Sequence, residues 1–187
     1  GIATVREYEE LLRGDFFGVE GSSPRVVIAA LRDNSPELVK LAQQISRQLH
    51  PQSDQVIIID HAEVAAHIRT ANGFDAHVYV GVDRTDDDES VIAYYETPTF
   101  VSQGGKSLAE RIADELGASG TGVVRTIGMR LPVLRETRMP AVVCTLGPFA
   151  TLTTHQKTYA DALARAIGIW VSAIIAGSPG TSATPLS

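Results

Sequence analysis

Asp83 is the side chain best placed to do chemistry: it closes the apolar run 77–82, HVYVGV, and is followed at once by Arg84 and Thr85. A strand whose alternating sets are both largely apolar reads as one covered on both faces, hence a central strand of an α/β sheet. Open α/β sheets place their ligand crevice beyond the carboxyl ends of the strands. An acidic residue there faces the crevice, so Asp83 and Arg84 are the first ligand-binding candidates. Arg135 and Arg138 are a second pair; with Arg130 they crowd the segment before the apolar run 141–146. A guanidinium can clamp a carboxylate or phosphate with two parallel hydrogen bonds, although a solvated face, or partners for acidic residues, is the plainer account.

The other reactive residue types are scattered. Five histidines stand at 50, 61, 67, 77 and 155. His61 and His67 lie six apart, which does not share a helix face as three or four would, whereas zinc needs a closed cluster of ligands. Surface or satisfied core positions explain these histidines more simply. The one cysteine, Cys144, excludes an internal disulfide framework and sits in an apolar run, where it reads as a buried, inert thiol. Residues 85–90, TDDDES, read as a solvated turn, because the central Gly and distal Glu of a calcium loop are missing. No Walker loop, G-x-G-x-x-G, H-E-x-x-H or G-x-S-x-G is present.

The elements that must position these residues follow from periodicity. Strands are expected at 25–30, 55–59, 77–82, 91–96, 123–126 and 141–146. Helices are expected at 4–13, 36–49, 62–70, 106–116 and 158–176, with a short one at 129–134 and a flexible link at 103–105. Ser35 reads as an N-cap, with Pro36 at the first helical position and Glu37 in the first turn. Strands alternating with helices predict an α/β domain with a mostly parallel central sheet and helices on both faces.

Residues 1–23 read as a helix and linker, 24–177 as the α/β body, and the low-complexity 178–187 as a disordered tail. A start at Gly1 without Met suggests a piece of a larger protein, so its compartment stays open. The net charge of −6 argues against a nucleic-acid partner. No run approaches the ~18 apolar residues of a membrane helix, so no membrane insertion is expected.

The stretches HIRTANGFDAHVYVGVD, VIAYYE, SLAERIADEL and VLRETRMPAVVCTLG, in that order, resemble the zinc-dependent N-acetylmuramoyl-L-alanine amidases of the third amidase family. Those bacterial cell-wall hydrolases cut between muramic acid and L-alanine. The resemblance spans roughly residues 25–175. Arg69, Ala71 and Asn72 approach the family's R-x-x-x-A-N, with a shorter Arg-to-Ala spacing. Met139, Pro140, Ala141, Val142, Val143, Leu146 and Gly147 follow its M-P-A-V-L-V-E-L-G-F strand. The resemblance implies the three-layer amidase fold, and a setting in the bacterial envelope or cytoplasm that depends on the parent protein. The stretch from Gly1 to Leu12, with a G-x-x-T step before the helix, resembles the tail of a small helical peptidoglycan-binding repeat, although a plain helical linker explains it as well.

The departures fall on the chemistry the resemblance implies. Asp83 stands where the family has a zinc histidine, and Gly81 where it has a serine. Thr145 replaces the catalytic glutamate and cannot act as a general base at neutral pH. The D-P-G-H-G-G loop is replaced by Leu31-Arg32-Asp33-Asn34, and Glu37 is the one remnant of the helix-start ligand. Glu37 and Asp83 are hard oxygen ligands, suited to magnesium or calcium more than to zinc. Acid–base catalysis contributes about 10²–10⁴-fold and the metal several kcal/mol more. With both lost, no catalytic residue, metal or cofactor is expected. The expected role is regulation of peptidoglycan metabolism by binding cell-wall fragments or a cell-wall synthesis protein. Two alternatives stand beside it: an active amidase with zinc in a rearranged site, and an unrelated small-molecule-binding α/β module.

Overall fold

The two apolar sets of the central strands bury against two separate layers of helices, and that division builds the molecule. The computed structural model describes residues 23–176 other than 52, 54 and 62. The strands are β1 (Arg25–Ala30), β2 (Gln55–Ile59), β3 (Val78–Arg84), β4 (Glu89–Thr97), β5 (Phe100–Val101), β6 (Val123–Met129) and β7 (Ala141–Leu146). They form one sheet in the order β2-β1-β3-β7-β4-β5, with β6 also paired to β4. Pairing is parallel from β2 through β7; β4 runs antiparallel to β7 and parallel to β6. The fold is therefore a three-layer α/β domain with a mostly parallel sheet, as expected.

One face carries Val26, Ile28, Val78, Val80, Val82, Val142 and Cys144. Helices α1 (Pro36–Leu49), α3 (Gln103–Ala118) and α6 (Gln156–Ile175) cover it. Leu38, Leu41, Ile45 and Leu49 of α1 recur at helical spacing and are buried. Each such side chain contributes about 1.5–3 kcal/mol. The opposite face carries Val27, Ala29, Tyr79, Ala141 and Val143 under two shorter helices, α2 (Val64–Gly73) and α4 (Pro132–Glu136). A six-residue helix α5 (Phe149–Thr154) links β7 to α6. No helix among the described residues is long and apolar enough to cross a membrane.

Several expectations are corrected. Residue 129 belongs to β6, not to a helix: β6 keeps its register with β4 as far as Tyr95↔Met129, and the helix starts only at Pro132, whose fixed φ suits a first turn. Helix α3 begins at Gln103 rather than Lys106, because Ser102 Oγ accepts from Gly105 N at 3.2 Å and caps it there. Helix α2 spans Val64–Gly73 rather than 62–70. Ser35 holds the N-cap position of α1, yet its hydroxyl donates to Glu37 Oε2 at 3.4 Å and caps no backbone group. Strand β3 runs on to Arg84, so Asp83 lies inside a paired strand. The expected helix at 4–13 and the tail at 178–187 fall outside the described residues.

Candidate functional site

The carboxyl ends of β1, β3 and β7 bring Asp83, Arg84 and Thr145 together. In the β3–β7 ladder Asp83 is the direct partner of Thr145, and Gly81 that of Val143. The positions that the resemblance equates with a zinc ligand and a catalytic carboxylate are thus neighbours on one edge. Residues 31, 81, 83 and 145 also share a face, because side chains alternate along strands that are in register.

What fills this edge is the chain leaving β1. Leu31 N donates to Val82 O at 2.9 Å, which carries the chain along β3. The Leu31 side chain then lies over Gly81: a Cβ at residue 81 would stand 2.7 Å from Leu31 Cδ1. A larger residue there would push the Leu31 side chain aside. Arg32 follows, its Nε donating to Asp83 Oδ1 at 3.0 Å and its Nη2 to Arg84 O at 3.4 Å. Arg84 N donates to the same Asp83 oxygen at 2.8 Å. One carboxylate oxygen thus holds a guanidinium and a backbone amide. The Arg84 guanidinium turns away and stacks on Phe149, with Cζ 4.1 Å from the ring centroid. Its Nε is buried without a hydrogen-bond partner among the described residues.

The acidic turn closes the edge from the other side. Strand β7 lies between β3 and β4 in the sheet, so the connection 85–88 must pass over the end of β7. Thr85 N donates to Leu146 O at 2.9 Å. A Cβ at Gly147 would meet Asp87 O and come within 2.7 Å of Thr85 Cγ2. Buried Ser90 locks the crossing, its Oγ donating to Gly147 O at 3.2 Å and accepting from Gly147 N at 3.0 Å. Tyr159 OH donates to the same carbonyl at 3.0 Å. The turn therefore straps the sheet edge, a role with no local signature in its composition.

The donor set does not fit zinc. Asp83 already pairs with a cation, and Glu37 is committed locally, its side chain to Ser35 and its carbonyl to Gln156 Nε2 at 2.6 Å. Among the described residues no three His, Cys, Asp or Glu side chains converge. His61 and His67 do meet, with ring centroids 5.2 Å apart, because His61 lies in the loop before α2 and not on the helix. Both nitrogens of buried His67 are engaged, Nε2 with His61 O and Nδ1 with Tyr79 OH at 2.9 Å. Burial lowers the His67 pKa and raises that of Tyr79, which keeps both neutral, with the hydroxyl donating to the ring. Burial also pushes the Cys144 thiol up to about 12, so it is inert.

Arg135 and Arg138 lie elsewhere. Both precede β7 and sit toward the amino ends of the parallel strands, away from Asp83 and Arg84. Arg135 pairs with Glu136 at 2.9 Å. Asn72 fastens this segment, donating from Nδ2 to Glu136 O at 3.1 Å and accepting from Arg138 N at 2.9 Å. The four candidates therefore do not form one site. Arg130 is separate again and borders a shallow depression beside the β4–β5 hairpin.

No protein-family model matches the chain, and no curated protein matches it. Solved structures do. The catalytic domain of CwlV, an N-acetylmuramoyl-L-alanine amidase from Bacillus (Paenibacillus) polymyxa var. colistinus, superposes with a TM-score of 0.62 at 17% identity, covering 79% of this chain and 98% of that one. An N-acetylmuramoyl-L-alanine amidase from Clostridium difficile 630 gives 0.61 at 19% identity, over 83% and 98%. The CwlD amidase from Clostridioides difficile, in complex with the GerS lipoprotein, gives 0.60 at 12% identity, over 81% and 98%. At such identities the likeness speaks for architecture alone, and the architecture of this chain is that of the N-acetylmuramoyl-L-alanine amidases.

Proposed function

We propose that this chain is an amidase-fold domain without hydrolytic activity, which serves peptidoglycan metabolism by binding. The observation that carries the proposal is the Arg32–Asp83 pair, at 3.0 Å. A hydrolytic site of this kind needs a cation with an open position and a carboxylate to move protons. Here a fixed guanidinium holds the carboxylate, and Thr145 offers a hydroxyl where the base would stand. Leu31 over Gly81 and the 85–88 strap over Gly147 cover the same edge. That covering favours a protein surface as the binding element over a muropeptide cleft. The CwlD structure, an amidase held by a lipoprotein, supports a protein partner for this fold.

The test is metal analysis of the purified chain together with digestion of muropeptides. We expect less than stoichiometric zinc and no release of L-alanine-linked peptides. Asp83→His should remain inactive, since Thr145 and the first-loop ligand are still absent. Stoichiometric zinc with peptide release by the unsubstituted chain would overturn the reading, as would activity from that single change.

A further inference from the structure

The amino-terminal edge of the sheet holds a feature that the amidase comparison does not use. A shallow depression of about 640 Å³ is bordered by Glu96, Thr97, Phe100 and Val101 of the β4–β5 hairpin, Gln103 of α3, and Arg130 just past β6. Strand β4 runs antiparallel to β7, with Val91 opposite Thr145 and Tyr94 opposite Val142. Glu96 is thus at the end of the sheet away from Asp83. Tyr95 pairs with Met129 across the β4–β6 ladder, which sets Glu96 and Arg130 side by side where the ladder ends.

The chemistry of the rim is specific. Glu96, Gln103 and Arg130 have no side-chain hydrogen bond or ion pair to any other described residue, so one carboxylate, one carboxamide and one guanidinium are left to a ligand. Their charges cancel, which selects against a strongly anionic or cationic ligand. They supply planar acceptors and donors, able to take two vicinal groups at once. Phe100 stands beside them 56% exposed, its ring 5.9 Å from that of Tyr95. An aromatic face carries negative charge density that attracts polarised C–H groups. A neutral polyol ring with C–H groups on one face and vicinal hydroxyls at its edge satisfies both kinds of group. Gly128 contributes space: a Cβ there would stand 2.7 Å from Glu96 Cδ, so only glycine lets the Glu96 side chain lie against β6.

We propose that this depression is a saccharide-binding site, taking one hexose unit of a glycan against Phe100, with Glu96, Gln103 and Arg130 holding its hydroxyl or acetamido groups. The site is independent of the Asp83 edge and goes beyond the binding role proposed above. Open concave sites with few convergent polar groups bind weakly, so the working range is millimolar.

The experiment is a titration of the ¹⁵N-labelled chain with chitotriose, with cellotriose, and with tri-alanine as a peptide control, followed by amide shifts. We expect saturable shifts confined to residues 96–103 and 128–130 with at least one saccharide and none with tri-alanine. Phe100→Ala should weaken the binding roughly tenfold while leaving the remaining spectrum in place. Gly128→Ala, which removes no polar group, should weaken it through displacement of Glu96, and Arg32→Ala at the far edge should not. The proposal is overturned by the absence of shifts with both saccharides, by equal shifts with tri-alanine, by shifts centred on Asp83, or by undiminished binding in Phe100→Ala. An inactive protein that ignores both sugars removes this site alone. An active amidase that binds them removes the preceding reading alone.

Discussion

The two ends of the sheet treat polar side chains in opposite ways. At the carboxyl-terminal edge Arg32, Asp83 and Ser90 are engaged by one another or by the backbone, and the turn 85–88 lies across β7. At the amino-terminal edge Glu96, Gln103 and Arg130 face solvent with no side-chain partner among the described residues. Groups that satisfy each other hold a structure together. Groups that only water occupies at a concave surface are free to bind. The edge where the parallel strands end is thus cross-linked by its own side chains.

The largest expected effect lies at the strap. Gly147→Val forces side-chain atoms into Asp87 and Thr85 and should cost about 3 kcal/mol of stability in urea unfolding. An unchanged midpoint would mean that the turn does not pack on β7. Ser90→Ala leaves the buried Gly147 N–H without its acceptor and should cost about 2 kcal/mol. A loss below half of that would show that the Ser90 hydroxyl does not hold the crossing.

A smaller effect comes from the amino-terminal edge, where the His77 ring is held by the backbone of β1. Arg25 N donates to His77 Nδ1 at 2.8 Å, a bond only the neutral ring accepts, and burial chiefly lowers this group to about 4. The unfolded chain, with its histidine near 6.5, takes up the proton first. Stability should therefore fall on acidification from about 6.5 to about 4 and be fully present above that window. His77→Gln keeps an acceptor that does not titrate and should reduce this slope in thermal melts across the window. His67, shifted in the same direction, retains the rest. An identical slope in the variant would remove His77 from the account.

Arg32→Ala breaks an ion pair whose side chains are 48% and 26% exposed, and should cost no more than about 1 kcal/mol. Smallest of all, Glu96→Gln and Arg130→Ala should leave stability within about 0.5 kcal/mol. Substantial destabilisation by either would show that the depression is structural, and the contrast between the two ends would fail.

Much of the fold was legible because it rests on local pattern. The run VVIAA of β1 and the spacing of Leu38, Leu41, Ile45 and Leu49 each specify an element burying a particular face, and the structure buries those residues. The part of β6 beyond residue 126 was not legible, since RTIGM has no apolar alternation and is held as a strand by its ladder with β4. The start of α3 was obscured by two glycines, which hide a cap made by Ser102.

Of the candidate site, the sequence by itself determined which groups are present: an acid at 83, a hydroxyl at 145 and no histidine after β1. Only the tertiary structure decided what those groups do. Asp83 meets Arg32, 51 positions away, because β1 and β3 are adjacent and parallel. Arg135 and Arg138 are parted from Asp83 because they precede a strand that Asp83 reaches only near its end. Residue types follow from composition, whereas pairing across a sheet depends on strand order, which no single strand encodes.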